Sequence, residues 1–254
     1  MPVDSVKTGL VVLAASLGGA LLGMLAGRAL PEHHRSTETK AVVSVSMAVL
    51  GTLSALVIGL LISDASAAFA TRSQEVTQIA ADVVQVDRLL RRYGPEAQEA
   101  RELLRGYAAA KLRDLFPPGP GPAAVDDEAT VAMLEALQDR VLALAPADEA
   151  RRWLRAQALQ LTVAISQARW LLVQQGATAF PFAFLALMVS WLSIVFASYG
   201  LFAPRNATAV AALVLCAAAV AGAVVMILDL QTPFGGVIRI PGVPMRYALE
   251  AISR

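Results

Sequence analysis

The sequence predicts an all-α protein with four transmembrane helices and a helical domain between spans two and three. Spans two and three are read as continuous with long soluble helices. Three observations carry this. The 254 residues are 57% hydrophobic and only 16% charged, where a soluble domain carries roughly 25% charged residues. The charge deficit is concentrated in four apolar blocks, 8–27, 41–63, 177–202 and 207–228, each about long enough to cross a ~30 Å hydrocarbon core. Between blocks two and three, apolar residues recur every three or four positions, which is the spacing of one helix face. The chain divides into a transmembrane hairpin over 1–63, a soluble helical domain over 64–176, a second hairpin over 177–228 and a membrane-proximal segment over 229–254.

The first block follows Lys7 and ends at Gly27-Arg28 without a small-x-small cleavage site. It is too long for a signal peptide's apolar region and three more spans follow, so it reads as a retained anchor. Ala15, Gly19, Gly23 and Gly27 recur every four residues, a face on which another helix can approach closely. The polar turn 28–40 holds both histidines, His33 and His34. Adjacent side chains diverge, so the pair is a poor metal site and reads as surface.

Block two runs without proline or glycine after Gly59 into a polar extension ending at Tyr93. The simplest reading is one helix that leaves the membrane and keeps going. Its extension carries a seven-residue repeat: Phe69, Val76, Val83 and Leu90, interleaved with Arg72, Ile79, Val86 and Tyr93. That is the seam of a helix packed lengthwise on others. Within the span, Ser44, Gly51, Ala55, Gly59 and Ser63 fall on one broad side. Small residues there serve either tight helix packing or the wall of a narrow conduit.

Gly94 and Pro95 end the long helix and start another, whose apolar face includes Leu104, Tyr107 and Leu115. The run PPGPGPAA over 117–124 breaks regular structure. Asp126-Asp127-Glu128 lacks the alternating ligands of a calcium loop and suits the start of a helix over 127–144. A second long seam, Leu154, Ala158, Leu161, Ile165, Ala168 and Leu172, leads towards span three. Two such seams, one leaving span two and one entering span three, should pack antiparallel. The C-terminal stretch has Phe234, Val237, Ile238 and Ile240 among prolines and glycines. It is too apolar for a free tail and is expected against the membrane surface or the helical domain.

The net charge of +1 points to no nucleic-acid partner. The single cysteine, Cys216, lies in a span and cannot form an intrachain disulfide. No HExxH, GxSxG, Walker, CxxC or Rossmann pattern occurs, so no catalytic residue, metal site or cofactor is assigned and the chain is not read as an enzyme. Span interiors hold no ionisable residue; Asp64 and Asp229 stand at membrane exits. This argues against a proton-coupled transporter. Lys7, Arg72, Arg169, Arg239 and Arg246 on one side balance Arg28, Arg35, Lys40 and Arg205 on the other, so positive-inside counting leaves orientation open.

LPEHH (30–34), TLSALVIGLLISDASAAF (52–69), RYGPE (92–96), RWLRAQALQL (152–161), FASYGLFAPRNAT (196–208) and ILDLQTPFGGVIRI (227–240) resemble a family of bacterial membrane proteins termed bestrophin-like and classed as a domain of unknown function. Bestrophins are pentameric chloride channels whose second span lines the pore and whose cytoplasmic domain is helical. The resemblance implies a homo-oligomer, a pentamer on that analogy, in the lipid bilayer of a bacterial inner membrane. Inorganic anions would be its permeant partners, and the termini and helical domain would face the cytoplasm. The five small residues of span two are then pore-lining or packing candidates. The chain departs from bestrophins in lacking a row of bulky neck side chains and an acidic calcium clasp after span four, where Asp229 is the one candidate acid. Calcium gating is therefore not carried over. The alternatives are a non-conducting scaffold presenting a helical stalk to a cytoplasmic partner, and, ranked last, an ion-driven motor stator.

Overall fold

The computed structural model describes residues 5–29, 31, 36–118, 123–177, 182–204 and 206–254. Eight α-helices are found among them: α1 (Ser5–Ala29), α2 (Thr37–Tyr93), α3 (Gln98–Leu115), α4 (Glu128–Leu142), α5 (Glu149–Ala177), α6 (Phe182–Phe202), α7 (Ala207–Gln231) and α8 (Val243–Ser253). No strand occurs among the described residues. Four helices are long and apolar enough to cross a membrane: α1, the first part of α2, α6 and α7. His33, His34, Arg35, Pro181, Arg205 and the centre of the 117–124 break lie outside the described residues. So does the 178–181 junction between α5 and α6, which the sequence reads as continuous helix.

The chain forms two compact units, Met1–Ala68 with Phe180–Gln231, and Phe69–Ala179 with Thr232–Arg254. In the first, α1 packs on α6 and α7. A Cβ on Gly19, Gly23 or Gly27 would fall 2.5, 1.8 or 2.8 Å from the carbonyl oxygens of Ser193, Ala197 and Leu201 respectively. Both sets advance by four residues together, so α1 and α6 run parallel. Gly200 returns the fit, its absent Cβ lying 2.0 Å from the Ala20 oxygen. Val12, Leu185, Met188, Leu192, Val224 and Leu228 fill the space beside this contact.

The second unit is a helical bundle around one core. Val76, Ile79, Val83, Val86, Leu90 and Tyr93 of α2 are buried there with Leu104 and Tyr107 of α3, Leu134 and Leu137 of α4, and Ile165 and Leu172 of α5. Arg72, the polar member of the α2 seam, is itself buried and donates from Nη2 to the Gln175 carbonyl at 2.6 Å. Gln175 Nε2 in turn donates to Glu75 Oε1 at 2.7 Å. At the other end the Arg151 guanidinium sits 5.6 Å from the Tyr93 ring centroid. The stretch of α2 around Arg72 therefore meets late α5 and the end of α2 meets early α5, so the part of α2 within this unit and α5 form an antiparallel pair.

Gly94 stops α2 with φ 125°, a value L side chains rarely adopt. Proline follows in a short 3₁₀ turn, Pro95–Ala97, and α3 begins only after it. Asp127 caps α4, its carboxylate accepting from Thr130 N at 3.1 Å, so the acidic triplet opens a helix. The C-terminal stretch contains a helix that the sequence reading did not assign. Met245, Ala248 and Ile252 bury one face of α8 in the core, and Arg105 Nε donates to the Ile252 carbonyl at 2.7 Å. Ahead of it the Phe234 and Phe116 rings meet edge-on at 6.0 Å.

Candidate functional site

The residues that distinguish this chain from a plain four-helix membrane bundle lie on the membrane portion of α2. Val43, Met47, Leu50, Ser54, Leu61 and Ala65 face inward, half-buried or buried, at three- and four-residue steps that keep one side of the helix against its neighbours. The other side is bare. Only 6% of the most apolar eighteen residues of this span are buried by the rest of the chain, against 28%, 33% and 22% for spans one, three and four. Span two therefore contributes least to the bundle and has the most surface left for lipid or for other copies.

The bare side has two parts of different chemistry. Val42, Val45, Val49, Leu53, Leu56 and Leu60 form a bulky apolar strip, all exposed. Beside it, Ser44, Ala48, Thr52, Ala55, Gly59 and Ser63 form a strip of small residues, also exposed. Four of the five small residues singled out from the sequence stand in this second strip. Gly51, the fifth, is half-buried at its edge, and a Cβ there would stand 4.0 Å from the Tyr199 hydroxyl. Nothing lies within 4 Å of a Cβ on Gly59. The hydroxyls of Ser46, Thr52 and Ser54 donate back to the carbonyls of Val42, Ala48 and Leu50 at 3.0, 2.9 and 2.8 Å. Their protons are thus spent within the helix.

A cavity of about 200 Å³ is lined by Lys40, Val43, Ser44 and Met47 of α2 and by Ser198, Tyr199 and Phe202 of α6. Of the membrane-exit acids, Asp64 is exposed on α2 and Asp229 is buried in the last turn of α7. Gly19, Gly23 and Gly27 are buried in the α1–α6 contact, with Ala15 half-buried beside them. Cys216 is exposed on α7. Among the described residues no group of three or more His, Cys, Asp or Glu is placed to hold a metal.

The helical unit holds charges that periodicity did not reveal. Asp87 is buried on α2 and accepts from Arg101 Nε at 2.8 Å and Arg91 Nη2 at 3.0 Å. Asp82 is also buried; desolvation raises its pKa, against the amide of Gln78 donating at 2.9 Å. Lys111 is fully buried on α3, its Nζ donating to the Val125 carbonyl at 2.6 Å. Burial lowers its pKa to about 8, while Asp114 pulls the other way. Asp126 pairs with Arg169, and the Thr130 hydroxyl donates to Asp114 at 2.5 Å. One signal for such groups was available: Asp87 and Arg91 stand four apart, the spacing of a helical ion pair.

Residues 14–245 match the family model of the bestrophin-like domain. Among solved structures, one variant of a bacterial bestrophin homologue from Klebsiella pneumoniae aligns at TM-score 0.69 and 13% identity, over 95% of this chain and 97% of that one. Another variant of that homologue aligns at TM-score 0.68 and 12% identity over all of both chains. A structure described only as a membrane protein aligns at 0.71 and 11% identity, over 99% and 100%. At such identities these likenesses speak for the fold. No curated protein matches the sequence.

Proposed function

This chain belongs to the bestrophin-like family, and on that premise we propose that it is an oligomeric anion channel with span two lining the pore. The observation that carries the reading is the bare side of α2. An oligomer built around this helix would cover the bulky strip with a neighbouring copy and leave the small strip on the axis, where Ala55 and Gly59 give room for an ion. Five copies is the number the family analogy supplies. The helical unit and both termini would then face the cytoplasm of a bacterial inner membrane.

The small strip bears on how such a pore selects. From Ser44 to Ser63 it carries no carboxylate, so nothing on it repels an anion. With the Thr52 proton committed to Ala48, it also offers few donors to replace an ion's hydration shell. The span would act as a narrow, weakly polar passage, with the preference for anions set by charges at its ends.

Purified protein in planar bilayers tests this. Chloride current is expected from the wild type, with a sharp reduction in Ala55→Phe and Gly59→Leu and little change in Leu215→Ala, a substitution at an exposed position of α7. A chain that forms stable oligomers yet stays silent across a range of anions would overturn the channel reading and favour the scaffold.

A further inference from the structure

We infer that the cavity between α2 and α6 is a binding site for a small inorganic anion, held by the Lys40 ammonium together with the hydroxyls of Ser44, Ser198 and Tyr199. The site stands on residues of the membrane unit alone. Its role as one mouth of a conduit rests on the proposed lining role of span two. All four side chains line the same cavity of about 200 Å³, with Met47 and Phe202 among its apolar walls. Pockets that take drug-sized ligands run to ~300–1,000 Å³, and one water takes up ~30 Å³. The space therefore suits one anion with a few waters and not a bulky organic ligand.

What marks this cavity is that its donors are unspent. Hydroxyls in membrane helices commonly return their proton to the carbonyl one turn back, and those of Ser46, Thr52, Ser54, Ser190 and Ser193 all do so at 2.8–3.0 Å. Ser44 and Ser198 stand on the same two helices. Among the described residues neither of their hydroxyls, nor the Tyr199 hydroxyl, nor the Lys40 ammonium makes a hydrogen bond or ion pair. A Cβ on Gly51, one turn beyond Met47, would stand 4.0 Å from the Tyr199 hydroxyl, so that hydroxyl is turned towards α2. Lys40 lies in the first turn of α2, where a cation opposes the helix dipole. Helix stability therefore does not explain the lysine, and a bound anion would offset both charges. The described acids of this unit stand away from the cavity. Glu38 is exposed about 160° round the helix from Lys40, and Asp64 lies roughly 36 Å further along it. Asp229 occupies the last turn of α7, a helix that starts just past the Ala203 wall of the cavity. Ser44 is ~6 Å along the helix from Lys40, within the ~8 Å screening length of physiological salt. Gly59, at ~29 Å, is well outside it. Lys40 therefore acts on an ion at this end of the span and not on one deep within it.

The test is chloride binding to the full-length protein in detergent, read from the linewidth of the chloride NMR signal as chloride is titrated. Wild type is compared with Lys40→Gln, Tyr199→Phe and, as the control on the opposite side of the same turn, Glu38→Gln. All three positions are exposed, and size-exclusion chromatography checks that each variant assembles as wild type does. Wild type is expected to broaden the signal saturably, Lys40→Gln to weaken binding at least fivefold and Tyr199→Phe at least twofold, with Glu38→Gln unchanged. Crystals grown in bromide should show an anomalous peak within hydrogen-bond reach of Lys40. In planar bilayers Lys40→Gln should lower the preference for chloride over sodium at least threefold. Broadening that is the same in wild type and Lys40→Gln overturns the site, whatever the conductance. Phosphatidylglycerol retained by wild type but not by Lys40→Gln in native mass spectrometry, with no bromide peak, also overturns it and assigns the cavity to a lipid phosphate. Chloride binding that depends on Lys40 in a protein that carries no current upholds the site and overturns the channel reading alone.

Discussion

Gly23→Ala adds one methyl group where α1 meets α6, and the structure sets what that methyl does. The new Cβ would lie 1.8 Å from the Ala197 carbonyl oxygen, 2.7 Å from its carbon and 2.9 Å from Leu201 N. All three are backbone atoms, so no rotamer change relieves the clash. Real Cβ atoms essentially never come within 3.0 Å, so the helices must part by about 1.2 Å. Gaps of 0.5–1 Å already forfeit roughly a quarter to a half of each contact's dispersion energy. The loss extends along the interface, because Gly19, Gly27 and Gly200 also hold the same two helices too close for a Cβ. Overpacking of this kind costs about 1–3 kcal/mol. Gly18→Ala is the control: it meets nothing within 4 Å and should gain up to ~1 kcal/mol of helix propensity. The same propensity gain accompanies Gly23→Ala, so the two variants are expected to differ by the overpacking cost alone, about 1–3 kcal/mol. Thermal unfolding in detergent, followed by size-exclusion of the surviving fraction, reads this as a clearly lower midpoint for Gly23→Ala. Equal midpoints would refute the close parallel contact.

Three further outcomes follow from the helical unit. The native pKa of Lys111 is lowered from 10.5 to about 8, so between those values the unfolded chain holds a proton that the native chain has released. Stability should rise with pH across that window, and below it the buried charge costs about 3 kcal/mol. Lys111→Met should remove that rise and stabilise the unit at pH 7, less the lost bond to Val125; hydrogen exchange against pH measures both. Asp87→Ala strands Arg101, whose side chain is only 13% exposed, and should cost about 3 kcal/mol. Arg91→Ala, at 51% exposure, should cost under ~1 kcal/mol, with urea midpoints comparing the pair. Gly94→Ala forces a side chain onto φ 125° and should cost ~1–3 kcal/mol, seen as faster proteolysis next to Tyr93.

The helices were legible where burial follows the 3.6-residue period without interruption. The α2 seam from Phe69 to Tyr93 could be read because its residues meet the core at every turn, and the sole polar member, Arg72, follows its neighbours inward. The four spans were legible from length and apolarity alone. What the pattern hides is direction. Ser44, Gly51, Ala55, Gly59 and Ser63 share one broad side of the wheel, about 120° wide, yet Gly51 sits at the edge near Tyr199 while Gly59 faces open space. The wheel gives their order around the helix, and only the position of α6 shows which edge is covered. The α8 helix escaped because Gly235, Gly236, Pro241, Gly242 and Pro244 dominate the stretch, and a proline in a helix's first turn, where its missing N–H is no loss, reads locally as a break. Buried charges escaped for a different reason. A solvated lysine and Lys111 are the same letter, and what distinguishes Lys111 is a carbonyl fourteen residues away.

The bareness of span two follows from how the other three spans satisfy one another. Lipid tails are as apolar as leucine, so helices in a bilayer associate through close fit and not through burial of apolar surface. Spans one and three have that fit in Gly19, Gly23, Gly27 and Gly200, and Gly9 brings span one against Val225 of span four. Span two has glycines too, but Gly59 touches nothing and Gly51 touches a hydroxyl only at the limit of contact. Its small residues are therefore not spent on the fold of the protomer. A packing role within one chain is filled elsewhere, so this strip is free to meet lipid, other copies or, on the proposed reading, a passage along the helix. Substitutions at Ala55 and Gly59 separate these uses from the fold itself: they should leave protomer stability near wild type while changing assembly or current.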